Sequence, residues 1–268
     1  MIAPFQCESG RLGRLGFSLV ELLTVMAIVA LLVSLTFPAV NALKTADDIT
    51  KASNDVAGAL ERAQAYAMAN NTYTWVGFYE EDSSRGSTTP ATLGVGRIVI
   101  DLVASNDGTC IYNSSTVAAN PTVSSPLNTG QLVQIAPLIK INNAHLAAFA
   151  DGTGVDGGMT FSTRPLIGAN PNNARIGNIS GTTGASPEAA SVTTFTYPLA
   201  GTAQYTFAYA IQFSPRGEAV VDNVAYPIQP NIEIGMQDTR GNVVDAASKN
   251  LVAVQVAGIG GKVIIYRE

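Results

Sequence analysis

Side chains that catalyse reactions or bind metals are scarce in this chain. The sequence contains one histidine and two cysteines, Cys7 and Cys110. The histidine, His145, lies in the apolar stretch INNAHLAAF, a setting typical of a packed or surface residue. One histidine and two cysteines cannot supply the four ligands of a structural zinc site, and no phosphate-binding loop, dinucleotide fingerprint or nucleophile elbow is present. The sequence therefore predicts no catalytic residue, no metal site and no cofactor, and a protein that is not an enzyme.

The most informative stretch runs from Arg11 to Val40. It has a basic start, a Gly16-Phe17 junction, one glutamate at Glu21, and no charged side chain from Leu22 to Leu43. A secretory signal has an apolar core of about 7–15 residues with the cleavage site after it. Here the run is longer, and it reaches the roughly 20 residues that cross a bilayer as a helix. The pattern predicts a transmembrane helix over residues 17–43.

The residues Gly16-Phe17-Ser18-Leu19-Val20-Glu21 resemble the prepilin cleavage motif of type IV pilins and type II secretion pseudopilins. The resemblance implies that residues 1–16 are a leader peptide. A prepilin peptidase would cut between Gly16 and Phe17 and methylate the new amino terminus at Phe17. Pro38 stands where many members of that family carry a proline, and a proline inside a helix predicts a kink.

Glu21 has two interpretations. A carboxylate within a membrane helix costs about 2.5–3.5 kcal/mol at the bilayer centre, so it is expected to have a partner. The resemblance implies that Glu21 meets the amine of Phe17 on an adjacent subunit and acts in assembly. The alternative is a glutamate at a helix start, favoured only by the helix dipole.

The charged residues and the cysteines limit which cellular compartment and which partners are expected. Arg11 and Arg14 precede the apolar run, which predicts a cytoplasmic N-terminus in the inner membrane and an extracytoplasmic C-terminal domain. The net charge is −5 without a basic cluster, which argues against nucleic acid as a partner. Removal of Cys7 with the leader would leave Cys110 alone, whereas many pilins have a C-terminal disulfide loop.

The pattern of elements predicts an α+β fold, a long N-terminal transmembrane helix packed on a mainly antiparallel β-sheet domain. The helix is expected over 17–70, with 44–70 amphipathic, and the β-rich globular domain over 71–268, with long loops at 104–130 and 168–194. The apolar stripe of the amphipathic part recurs at three- and four-residue steps: Ile49, Ser53, Val56, Leu60, Ala63 and Ala67. Alternation and β-branched residues predict strands at 72–79, 97–103, 138–141, 159–162, 205–213, 218–221, 231–237, 251–256 and 262–266.

Three further segments, residues 52–78, 211–221 and 251–268, resemble the minor pseudopilin H group, and the long loops more weakly resemble Verru_Chthon cassette prepilin-type proteins. These resemblances imply a structural, minor pseudopilin-like subunit of a type II secretion-type filament. Its expected partners are the prepilin peptidase, other pilin or pseudopilin subunits, an inner-membrane assembly platform, and the membrane through one helix. The alternatives are a minor type IV pilin in adhesion, motility or DNA uptake, and a single-pass membrane-anchored binding domain that does not assemble.

Overall fold

The computed structural model describes residues 18–110, 125–149, 161, 163–165, 167, 174–179, 193–221, 230–245 and 248–268, with side chains at all of these except 35–46, 125–126 and 193. The chain divides into two compact units, Met1–Leu43 and Lys44–Glu268. Each unit is described by itself. The predicted leader, including Gly16, and Phe17 lie outside the described residues.

One α-helix, one short 3-10 helix at Thr129–Gln131 and fourteen strands make up the secondary structure of the described residues. Helix α1 spans Leu19–Asn70. The strands are β1 Thr74–Asp82, β2 Gly96–Ser105, β3 Ser125–Pro126, β4 Leu132–Gln134, β5 Ile139–Leu146, β6 Ala174–Ile176, β7 Thr193–Tyr197, β8 Tyr205–Phe207, β9 Tyr209–Phe213, β10 Ala219–Val220, β11 Asn231–Arg240, β12 Val243–Val244, β13 Leu251–Ala257 and β14 Val263–Arg267.

The predicted membrane anchor and the fold class built on it are wrong for the described structure. Within the described residues, no helix qualifies as a membrane span. The single-pass inner-membrane localisation is corrected accordingly, and the described chain is largely antiparallel β-sheet instead of an α+β fold on a transmembrane helix.

The main sheet contains eleven strands. Eight of them follow the order β10-β9-β1-β2-β5-β11-β13-β14, and β4, β6 and β12 pair at its sides. Every pairing in it is antiparallel except β6 with β11. Strand β6 lies inside the segment predicted as the long loop 168–194. The longest pairing joins β1 to β2, from Thr74 opposite Ala104 to Asp82 opposite Gly96.

The second half of α1 covers one face of this sheet, as its sequence pattern predicts. All six residues of the predicted stripe are at least 97 % buried: Ile49, Ser53, Val56, Leu60, Ala63 and Ala67. They pack with alternate residues of the strands, such as Val76, Ile100 and Ile234. The stripe prediction is confirmed because three- and four-residue steps keep side chains on one side of a helix.

The opposite face of β1 and β2 is covered by a small sheet of β3, β7 and β8. Trp75 and Val99 pack there against Phe195 and Phe207, whose rings stack with centroids 5.0 Å apart. Gly77 makes this close packing possible, because a Cβ at that position would lie 2.6 Å from the Phe195 ring. Since both faces are covered, β1 and β2 are almost continuously buried.

Candidate assembly surface and buried polar groups

Residues 19–34, the part of the first half of α1 whose side chains are described, have an apolar surface on all sides. Each of the eleven large apolar residues in this range is exposed, from 46 % at Val29 to 78 % at Leu19. The hydroxyls in this stretch are satisfied within the helix: Thr24 Oγ1 donates to the Val20 carbonyl at 3.0 Å and Ser34 Oγ to the Leu31 carbonyl at 2.8 Å. These two hydroxyls therefore need no hydrogen-bond partner from a neighbouring molecule. We call residues 18–34 the apolar helix segment.

Glu21 lies in the first turn of α1 and is exposed. Ser18 precedes the helix, and its Oγ accepts a hydrogen bond from the Glu21 backbone N–H at 3.2 Å. Ser18-Leu19-Val20-Glu21 matches the spacing of a capping box, in which a serine side chain satisfies one of the unpaired N–H groups of the first turn. A carboxylate there is also favoured by the helix dipole. The cap was not predicted, although its S-x-x-E spacing is visible in the sequence.

The other predicted site residues are only partly described. The cleavage positions Gly16 and Phe17 lie outside the described residues. Pro38 lies within α1, and its side chain is among those not described. Cys110 is half-buried and forms no disulfide; its Sγ lies 3.6 Å from Gln212 Oε1.

Gln64 ties the second half of α1 to two hairpin turns. Its Nε2 donates to the Gly217 carbonyl at 3.1 Å and to the Gly260 carbonyl at 2.7 Å. Gly217 lies in the turn between β9 and β10, and Gly260 in the turn between β13 and β14. No local pattern in the sequence indicates this contact, because the two turns lie 153 and 196 residues away along the chain.

His145 is fully buried and lies against Glu80. Its Nδ1 is 2.5 Å from Glu80 Oε1, so a hydrogen bond joins the two side chains. His145 is therefore a packed residue, one of the two settings that the sequence indicated. Its Nε2 has no hydrogen-bond partner among the described residues. Glu80 is on β1 and His145 on β5, so the pair links two strands that both neighbour β2.

A second buried ionic group surrounds Arg164. Its Nε lies 2.7 Å from Glu233 Oε2, with both side chains at most 1 % exposed. The guanidinium carbon is 5.6 Å from the ring centroids of both Phe149 and Phe161, and Gln255 Nε2 also donates to Glu233 at 2.8 Å. These contacts fix Arg164 on the sheet face at β11 and β13. No local sequence signal indicated this pairing, which joins residues 69 positions apart.

Asp101 is a buried carboxyl that has no ionic partner among the described residues. Its Oδ1 accepts from the Leu102 backbone N–H at 3.0 Å and from Gln134 Nε2 at 3.0 Å. Its Oδ2 has no hydrogen-bond partner among the described residues. Burial raises the pKa of Asp101 to about 6, against the smaller lowering effect of these two hydrogen bonds.

The described residues contain no group of three acidic, histidine or cysteine side chains that could hold a metal ion. A scan against protein-family models finds no match, and searches of curated proteins and of solved structures likewise return no match.

Proposed function

We propose that this protein is a structural subunit of a helical filament, similar to a minor pseudopilin, that assembles through the apolar helix segment. The observation that carries the proposal is the exposure of all eleven large apolar side chains of that segment. Full burial of a leucine or valine side chain contributes about 1.5–3 kcal/mol. A helix that is apolar all round needs cover on every side, and the same segment of neighbouring copies supplies that cover.

The motif at the start of the helix supports the same proposal. A cut between Gly16 and Phe17 would place a new amino group one residue before Ser18, where α1 is about to begin. Glu21 would then be the fifth residue of the processed chain. The exposed carboxylate of Glu21 is available to the Phe17 amine of another copy, and an opposite-charge pair in an apolar contact favours one register over others. A minor type IV pilin would use the same contacts.

The assembly surface is tested by adding a carboxylate to each half of α1. Ile28 is 59 % exposed in the apolar helix segment, and Asn54 is exposed on the polar side of the second half. In the Ile28→Asp variant we expect loss of sedimenting filaments, because a charge would enter an apolar contact without a partner. Asn54→Asp is the matched control and should assemble normally. Assembly of Ile28→Asp at the wild-type level would contradict the proposal.

Two variants separate the capping role of Glu21 from its role between subunits. Glutamine serves at this position of a capping box, so Glu21→Gln retains the cap and removes the charge. Ser18→Ala removes the cap and retains the charge. The proposal predicts that Glu21→Gln prevents assembly while Ser18→Ala weakens the first turn by about 0.5–2 kcal/mol and still permits assembly. The reverse result would make Glu21 a capping residue only.

A further inference from the structure

The unit Lys44–Glu268 exposes few large apolar side chains, and most of them lie at two opposite ends. Among its described residues, those exposed are Met68, Leu93, Val133, Val243 and Ile259. Ile259, at 77 %, lies in the turn between β13 and β14, and Val243, at 62 %, follows the turn after β11. Both side chains therefore lie at hairpin tips, outside the core of this unit.

Strand pairing shows that the two tips are far apart. Asn231, at the start of β11, pairs with Ala257, next to the turn that carries Ile259. Arg240, at the end of β11, pairs with Val243. The ten residues of β11 separate the tips by about 30 Å at about 3.3 Å per residue. We call these two places the Ile259 end and the Val243 end.

The Ile259 end combines two turns with the last turn of α1. A Cβ on Gly217 would lie 3.1 Å from Met68 Sδ and one on Gly261 2.6 Å from the Gly217 carbonyl oxygen. Since Gln64 bonds both turns, Met68 and Ile259 lie on one assembled surface. Lys262, which follows the same turn, is exposed and has no ion pair among the described residues.

The Val243 end is built from three other connections. The loop between β1 and β2 carries Leu93, 48 % exposed, and it closes on the turn after β11, where a Cβ on Gly96 would clash with the Gly241 carbonyl oxygen. The first described turn of α1 in this unit lies at the same end, because Asn143 Nδ2 donates to Asp48 Oδ2 at 2.9 Å. Asp47 beside it is exposed and has no ion pair among the described residues.

We propose that the Ile259 end of one copy binds the Val243 end of the next copy. The two surfaces differ, so the contact is heterologous, and a heterologous contact that does not close into a ring produces an open filament. Lys262 and Asp47 supply charges of opposite sign at the two ends. The nearby arginines are already paired within the chain: Arg216 with Glu218, Arg85 with Asp82 and Arg240 with Asp245. The inference rests on the proposed filament function and names the contact its globular units make.

The test uses full-length chains with Cys7 and Cys110 replaced by serine. One protein carries Ile259→Cys, a second carries Val243→Cys, and a third carries Val133→Cys. Val133 is exposed on β4, a strand at the side of the sheet. Under mild oxidation, disulfide-linked dimers should form when the first two proteins are mixed and in neither alone. Mixing the first with the third should yield none. Ile259→Ala should also weaken self-association about tenfold, as expected for an apolar anchor.

Cross-linking tests the end-to-end contact, and sedimentation tests filament assembly, so the two proposals can fail separately. No dimer in the mixture, or equal dimer in one protein alone, would overturn the end-to-end contact. Sedimentation of the same samples reads assembly independently. Filaments without the cross-link would remove only this inference. A cross-link without filaments would retain the contact and remove the proposed function, and absence of both would remove the two proposals together.

Discussion

The two described parts of α1 have the same backbone conformation and opposite environments. Residues 19–34 expose every large apolar side chain, whereas residues 47–70 bury a single stripe against the sheet. The difference follows from how apolar residues are spaced. In the first part, eleven of the sixteen residues are large and apolar, so the helix has no polar side. In the second part, apolar residues recur at three- and four-residue steps, so the opposite side of the helix is polar. A helix covered by its own sheet needs one apolar stripe, and a helix that is apolar all round depends on other molecules.

The largest expected effect is at Arg164, within the packed unit. Arg164→Ala leaves Glu233 buried, and among the described residues the partly exposed Arg175, at 3.4 Å, remains as an ionic partner. Loss of one member of a buried ion pair typically costs about 3–5 kcal/mol. Chemical denaturation should show that loss in the free energy of unfolding. Arg216→Ala is the control: Arg216 pairs at an exposed site, and its removal should change stability by less than about 1 kcal/mol. Equal losses of unfolding free energy in the two variants would contradict a larger stabilising role for the buried Arg164 pair.

Leucines in the two parts of α1 provide the most direct contrast. Leu60 is fully buried and Leu23 is 63 % exposed. Leu60→Ala should lower the free energy of unfolding by about 2–5 kcal/mol, through lost burial and the cavity that remains. Leu23→Ala should leave the unfolding of the monomer within about 0.5 kcal/mol of the wild type and should weaken assembly instead. Equal effects of the two substitutions on unfolding would remove the distinction between the two parts.

Asp101 gives the packed unit a specific pH dependence. Its folded pKa of about 6 lies above the ordinary value of 3.8 for an aspartic acid, so the folded state binds the proton more tightly than the unfolded state. Stability from this group is therefore highest below about pH 4 and falls as pH rises to about 6, by about 3 kcal/mol in all. Unfolding curves measured across this range should show the decline, and Asp101→Asn should abolish it.

Asp107 provides a control of opposite sign for that pH profile. Hydrogen bonds, chiefly from the Thr109 side chain, lower the pKa of Asp107, so its contribution is present above the unfolded pKa and is lost as pH falls. Asp107→Asn should therefore remove a small stabilisation at neutral pH. A decline that persists in Asp101→Asn would assign the pH dependence to another group.

The smallest effect is expected at Gln64. Gln64→Ala removes two hydrogen bonds to exposed or half-buried turn carbonyls, each worth about 0.5–1.5 kcal/mol. Hydrogen exchange should become faster in the turns around Gly217 and Gly260, while the centre of β11 stays protected. Glu61→Ala, on an exposed position one turn earlier, should change neither. Unchanged exchange in both turns would show that Gln64 does not hold them.

Local patterns in the sequence predicted much of the packed unit. The stripe from Ile49 to Ala67 and the positions of β2, β11, β13 and β14 follow from the spacing and type of neighbouring residues. The pairings of Arg164 with Glu233 and of His145 with Glu80 could not be predicted, since they depend on which strands become neighbours. Strand β6 has three residues, too few for a periodic signal. The membrane assignment was wrong for the described residues, in which no helix qualifies as a membrane span.

The mass of the mature N-terminus tests the central claim most directly. The full chain would be produced with and without a prepilin peptidase, and the N-terminal peptide of each product measured. The account predicts a chain that begins at methylated Phe17, formed only when the peptidase is present and recovered in the filament fraction. A chain that keeps Met1 in the presence of the peptidase, or one cut after Ser34, would contradict assembly through the apolar helix segment.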